Sequence, residues 1–79
     1  MLIQIQYFAH LRDFRGPDSI ELEEGSAVQD LLNKLFLRTP GLGAWNKHLL
    51  IAAGTEWVGR DYLLKPGETI SLMPPVQGG

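Results

Sequence analysis

Ser26-Ala27-Val28-Gln29-Asp30-Leu31-Leu32-Asn33-Lys34-Leu35-Phe36-Leu37-Arg38-Thr39 is the stretch that decides the fold. Val28, Leu31, Leu32, Leu35 and Phe36 recur at helical spacing and make one apolar stripe. Ser26 and Gln29 match a capping box, the serine accepting from a free backbone N–H while the glutamine reaches back. Thr39-Pro40-Gly41 stops the helix. One striped helix needs one apolar sheet face to cover it.

The flanks supply that sheet. Upstream, Leu2 to Phe8 alternates, with Ile3, Ile5 and Tyr7 on one face and Gln4 and Gln6 on the other. Phe8 to Asp13 reads as a short helical turn or loop, and Gly16-Pro17-Asp18 as a turn. Ser19 to Glu23 alternates again around Ile20 and Leu22, so the two segments pair as an antiparallel couple. Downstream, Ala44 to His48 suits a second short turn and Leu49 to Ala53 a buried strand. Glu56-Trp57-Val58 returns after Gly54-Thr55 as a hairpin arm. Lys65-Pro66-Gly67-Glu68 has the proline and glycine of a type II turn, and Glu68 to Met73 is the last strand, with Ile70 and Leu72 inward. The order is ββαβ(β)β, an α+β pattern with a mixed sheet covered by one main helix. It is the pattern of a β-grasp, ubiquitin-like domain, expected over 1–75, with 76–79 as a flexible C-terminal diglycine tail.

Composition bounds the function. The 79 residues suffice for one domain, and with no cysteine its core is held by side-chain packing alone. A net charge of −2 leaves no electrostatic footprint for nucleic acid. The N-terminus lacks a basic n-region, and no apolar run approaches the ~18 residues of a membrane span. The expectation is a cytoplasmic protein with no membrane or nucleic-acid partner.

Conventional catalytic equipment is missing. His10 and His48 lie far apart without metal-type spacing, and both read as surface or loop histidines. Asp13, Asp18, Glu21, Glu23 and Glu24 read as a solvated face, and Gly41-Leu42-Gly43 is too short for a phosphate loop. No metal site is expected. What remains is the ending, Met73-Pro74-Pro75-Val76-Gln77-Gly78-Gly79. Pro74 and Pro75 cannot continue a sheet ladder, so a stiff extended segment leaves the body there. Two glycines form the thinnest backbone available, suited to threading a narrow channel and presenting an α-carboxylate. The five residues from Pro75 to Gly79 can reach on the order of 17 Å. Strand alternation puts Phe8 beside Gln4 and Gln6, and Met73 beside Ser71, on the face away from the helix. In a β-grasp the first and last strands are parallel neighbours, so Phe8 and Met73 meet near the tail, where Trp57 can join them as a docking patch.

On these residues the chain resembles the molybdopterin synthase small subunit, of the MoaD/ThiS sulfur carriers. Phe8-Ala9-His10-Leu11-Arg12-Asp13 is similar to that family's FAxxRE segment. Leu64-Lys65-Pro66-Gly67-Glu68 followed by Met73 to Gly79 is similar to its L-x-x-G-D/E … PPVxGG ending. The resemblance implies a role in molybdenum cofactor biosynthesis. An E1-like adenylyltransferase would use ATP to adenylate Gly79, and the terminus would become a thiocarboxylate. The tail would then enter the large subunit of molybdopterin synthase, in a heterotetramer, and donate sulfur to the pterin precursor. The protein would be the sulfur-donating subunit of a sulfurtransferase complex, without catalysis of its own or a permanently bound cofactor. Gly78 and Gly79 would be the reacting end. Phe8, Arg12, Trp57, Met73, Pro74, Pro75, Val76 and Gln77 would meet partners, Arg12 through a partner carboxylate. Ala52-Ala53-Gly54 departs from the family's A-V-N-G, and Leu72-Met73 replaces its paired aromatics, which bears on hairpin geometry and partner pairing.

Three other readings fit the same tail. One is a sulfur carrier for thiamin or cysteine synthesis, although the thiamin carriers typically lack both FAxLR and the double proline. Another is a ubiquitin-like modifier conjugated to lysines through Gly79. The last is a β-grasp interaction module whose diglycine is incidental.

Overall fold

The computed structural model describes residues 1–75. The strands are β1 (Leu2–Tyr7), β2 (Ser19–Glu21), β3 (Leu50–Ala53), β4 (Glu56–Trp57) and β5 (Thr69–Met73). Helix α1 spans Val28–Arg38 and the one-turn α2 spans Pro40–Gly43, with 3-10 turns at Ala9–Phe14 and Asn46–His48. The five strands form one sheet in the order β2-β1-β5-β3-β4. β1 and β5 are parallel, and the other pairings are antiparallel. With α1 as the crossover on one face, this is the β-grasp architecture expected.

Alternation along the strands builds the core. Ile3, Ile5, Ile20, Ile51, Ile70 and Leu72 form one buried cluster with Val28, Leu31, Leu32 and Leu35 of α1. Each such side chain, fully buried, contributes roughly 1.5–3 kcal/mol. An isolated helix of 11 residues would be marginal in water, so packing against the sheet holds α1. Phe36 only borders the core. Leu37, the next residue, is 82% exposed, which marks the edge of the stripe.

The start of α1 differs from the sequence reading. The N-cap is Ala27, one residue beyond Ser26, and the Asp30 carboxylate accepts from the Ala27 N–H at 2.8 Å. Ser26 Oγ instead donates to the Glu23 carbonyl at 2.7 Å, and Gln29 reaches forward to Asn33. The free N–H groups of the first turn are taken by a distant segment. Val28 N donates to Tyr62 O and Gln29 N to Arg60 O, both at 2.9 Å, while Leu64 N returns a bond to Ser26 O. Backbone carbonyls brought in by the fold thus do the work assigned to a local side chain.

The remaining differences are at ends. Thr39-Pro40 stops α1, but Pro40 then occupies the first turn of α2, where its missing N–H costs nothing. Gly41 lets α2 approach the 3-10 turn, because a Cβ there would lie 2.7 Å from the Phe14 ring. The type II turn is present. Gly67 has φ +77 and Glu68 N donates to Lys65 O at 3.1 Å. Glu68 reinforces it, accepting from Lys65 N at 2.9 Å and from the Tyr62 hydroxyl at 2.6 Å. That bond raises the Tyr62 pKa, with smaller contributions from burial and nearby carboxylates. The acidic run lies at the surface, where Glu21 pairs with the N-terminal ammonium at 2.6 Å.

Docking face and tail exit

The register gathers the residues singled out in the sequence on the sheet face away from α1. Tyr7 pairs with Leu72, so Phe8 comes next to Met73, and Phe8 N donates to Leu72 O at 3.1 Å. On the other side Met73 pairs with Leu50. One step back, Gln6, Ser71, Ala52 and Trp57 form a continuous row across four strands. Ser71 and Ala52 are buried although they point away from the core, leaving a small-residue floor between larger neighbours. Phe8 is 39% exposed and Trp57 65%, so both rings present apolar surface to solvent. Exposed apolar groups thus surround a flat, small-residue centre on this face.

Leu50 and Ala52 were not anticipated as part of it. Leu49 to Ala53 reads as a uniformly apolar run, which hides alternation. Only the pairing shows that Ile51 meets Leu72 on the inner face while Leu50 and Ala52 lie outside. At the end of β1 the chain turns sharply. Ala9 adopts φ 54, a left-handed conformation costing a non-glycine residue about 1–2 kcal/mol, at the point where the extended Phe8 gives way to the 3-10 turn.

Pro74 and Pro75 are partly buried and follow Met73 directly at the end of β5. Val76, Gln77, Gly78 and Gly79, with the expected 76–79 tail, lie outside the described residues. Arg12 is exposed on the 3-10 turn, beside the patch and not within it. It lines a shallow groove with Arg15, Gln6, Tyr7 and Asp18. The Tyr7 hydroxyl donates to Pro17 O at 2.7 Å and ties the end of β1 to the turn before β2. Burial pushes its pKa up to about 12, helped by the Asp18 carboxylate and opposed by Arg38. His10 stacks obliquely on Trp45, ring centroids 4.6 Å apart, and His48 is exposed. Among the described residues no group of three His, Cys, Asp or Glu side chains is placed to hold a metal ion. No helix there is long and apolar enough to cross a membrane.

The family model described as ThiS family matches residues 5–79. The chain belongs to the ThiS family. It is 31% identical to a molybdopterin synthase sulfur carrier subunit from Chlamydomonas reinhardtii, over 100% of both chains. A solved structure from Pyrococcus furiosus, provisionally named molybdopterin converting factor, subunit 1, superposes with a TM-score of 0.83. Identity to it is 29%, covering 96% of this chain and 99% of that one. Small archaeal modifier protein 1 from Methanosarcina acetivorans superposes with a TM-score of 0.78 at 26% identity, covering 99% and 96%. In this ThiS-family chain Phe8, Met73 and the double proline sit at the same end of the sheet.

Proposed function

We propose that this protein is the sulfur carrier of molybdopterin synthase, charged at Gly79 and docked through the outer sheet face. The observation that carries it is the placement of Phe8, Met73 and Leu50 at the end of β5, directly before Pro74-Pro75. Full-length likeness to a molybdopterin synthase sulfur carrier subunit supports the choice of pathway.

The chemistry follows from the carboxylate. With a pKa of about 3.3–3.7 an α-carboxyl group is ionised at neutral pH and is a poor electrophile. Attack of its oxygen on the α-phosphorus of ATP, held by an E1-like adenylyltransferase, forms the acyl adenylate and releases pyrophosphate. Sulfur at the hydrosulfide level, supplied from outside this chain, then attacks the acyl carbon, displaces AMP and leaves a thiocarboxylate at Gly79. Docking of the patch on the large subunit holds that sulfur at high effective concentration beside the pterin precursor. The thiocarboxylate sulfur attacks a side-chain carbon of the precursor and displaces the oxygen substituent that carbon carries; water then cleaves the acyl–sulfur bond, restoring the Gly79 carboxylate and leaving the sulfur on the pterin as a thiolate. Two deliveries furnish both dithiolene sulfurs. In this reading Gly78 and Gly79, lacking Cβ atoms, suit a narrow channel of the partner, Val76 and Gln77 are contacts to it, and Pro74-Pro75 stiffen the exit from the sheet. In this reading the working assembly is a heterotetramer with the large subunit.

The test is intact mass after coexpression with the activating enzyme. Replacement of one C-terminal oxygen by sulfur is expected, lost on deletion of Gly79. No shift would overturn the carrier reading. Conversion of the pterin precursor by the charged form with a large subunit assigns the pathway, and thiamin or cysteine synthesis would be the recipient if that fails. The likeness to small archaeal modifier protein 1 favours one other reading, a modifier joined to lysines through Gly79. Conjugates of higher mass carrying a Gly79–lysine bond, without sulfur incorporation, would select it.

A further inference from the structure

The strand order leaves β2 at one margin of the sheet, with an open edge. Ile5 N donates to Asp18 O and Leu22 N to Met1 O, both at 2.8 Å. In an antiparallel ladder such bonded pairs alternate with non-bonded ones, so Ile20 turns its N–H and C=O toward β1. Ser19 and Glu21 therefore aim theirs outward. Lys34 Nζ, reaching from α1, donates to the Glu21 carbonyl at 2.8 Å and covers that one group.

The same edge holds a groove between β2 and α1, lined by Ile20, Glu21, Lys34, Leu37 and Arg38. A single exposed leucine is ordinary, but Leu37 stands 82% exposed beside outward-facing edge groups and two cations. Among the described residues neither Lys34 nor Arg38 has a carboxylate oxygen within 4 Å, and the Glu21 carboxylate is paired with the Met1 ammonium at 2.6 Å. The groove thus offers edge hydrogen bonds, an apolar contact and unpaired positive charge. Its occupant must be extended, apolar and acidic. The chain's own edge segment, Asp18-Ser19-Ile20-Glu21-Leu22-Glu23-Glu24, has all three properties. Strand and groove lie on one edge, so the edge is complementary to itself.

We infer that two copies of this chain pair through their β2 edges, antiparallel about a two-fold axis at Ile20, into one continuous sheet. The inference stands on this edge and does not depend on the sulfur-carrier reading. Ser19 of one copy comes opposite Glu21 of the other, and the two exchange a pair of backbone hydrogen bonds, repeated by symmetry. The Glu21 carbonyl then accepts from the Ser19 N–H of the second copy and releases Lys34. Asp18 lies one residue further on, on the helix side of the sheet with Ile20, so the freed ammonium meets Asp18 of the second copy. The two Leu37 side chains, each beside Ile20 in its own groove, close over the seam. Two short strands and one leucine pair bury less than a standard interface of about 1,600 Å², so the dimer is weak and concentration-dependent. β1 separates this edge from β5 and β3, which leaves Met73, Leu50 and the exit at Pro74 uncovered in each copy.

Sedimentation equilibrium of the full chain tests the pairing. The average mass is expected to rise from one chain toward two between about 10 µM and about 1 mM. Leu37→Lys and Lys34→Glu are each expected to weaken dimerisation about tenfold or more, the second by setting like charges against each other. Asp18→Lys should weaken it likewise, and the double variant Lys34→Glu/Asp18→Lys should return it to within about threefold of wild type. Trp57→Glu, on the opposite edge strand, should change it less than about twofold. In the wild type, amide exchange at Ser19 and Glu21 is expected to slow about fivefold or more over the same concentrations, while Ile20, already bonded to β1, stays unchanged. That measurement needs no variant, and circular dichroism checks that the variants fold. A monomer throughout the range would overturn the inference. So would a dimer that Leu37→Lys leaves intact, a dimer lost in Trp57→Glu, or a charge swap that fails to restore pairing in a folded variant. Exchange at Ser19 and Glu21 independent of concentration would overturn it even where a dimer forms, by placing the contact elsewhere.

Discussion

Replacing Trp57 by alanine separates folding from docking within one side chain. A tryptophan has about 250 Å² to bury, and with 65% of this one exposed about 160 Å² remains for a partner to cover. At about 25 cal/mol per Å² that area corresponds to at most about 4 kcal/mol. Truncations of aromatic anchors typically cost about 2–4 kcal/mol, or a loss of affinity of about 30- to 700-fold. The part already buried, roughly 90 Å² against Ala52 and its neighbours, contributes to folding. After allowing for the area an alanine still covers, the expected loss of stability is about 1–1.5 kcal/mol. Titration calorimetry against the synthase large subunit reads the first quantity and urea unfolding the second. Affinity within threefold of wild type, in a variant that folds, would refute the assignment of this face. A stability loss above about 3 kcal/mol would mean that Trp57 belongs to the core and that the patch was misjudged.

Three further predictions bear on the scaffold. Asp30→Ala is expected to cost about 0.5–2 kcal/mol by removing the acceptor for Ala27 N–H, whereas Ser26→Ala is expected to cost less; urea midpoints of the two variants decide which residue caps α1. Gly41→Ala must move the Phe14 ring, found 2.7 Å from the added methyl position. The expected loss is about 1–3 kcal/mol, seen as a lower melting temperature, and Phe14→Leu should relieve part of it. The last concerns alkaline pH. The Tyr7 pKa rises from 10.0 to about 12 on folding, so the unfolded chain loses its proton first, and stability present below pH 10 falls as pH rises toward 12. Two units correspond to about 2.7 kcal/mol, and partial solvent screening leaves about 1–1.5 kcal/mol. Urea titrations between pH 8 and 11.5 should show that slope in the wild type and a shallower one in Tyr7→Phe, Tyr62 accounting for the remainder.

Much of the fold was legible because its signals are local. The stripe of Val28, Leu31, Leu32 and Leu35, the alternation of Ile3 and Ile5, and the turn at Pro66-Gly67 depend on residues a few positions apart. The cap of α1 was misread because its donors are satisfied by the carbonyls of Arg60 and Tyr62, more than thirty positions away, and no local pattern announces that bond. Leu50 and Ala52 were missed for a related reason. In an apolar strand the face of each residue is fixed by register with neighbours, and register is a property of the sheet.

The sequence by itself determined the helix, the alternation of strands and the chemistry of the ending, since propensity, periodicity and the absence of Cβ atoms in Gly78-Gly79 are properties of the chain alone. Tertiary structure alone decided which side chains share the outer face and which end of the sheet the double proline leaves. Phe8, Leu50, Trp57 and Met73 lie up to 65 positions apart, and only the parallel pairing of β1 with β5 brings the first and last of them together. The same pairing carries Arg12 and Arg15 to the point where Pro74 leaves the sheet. A surface is a sum over neighbours in space, and the fold chooses those neighbours.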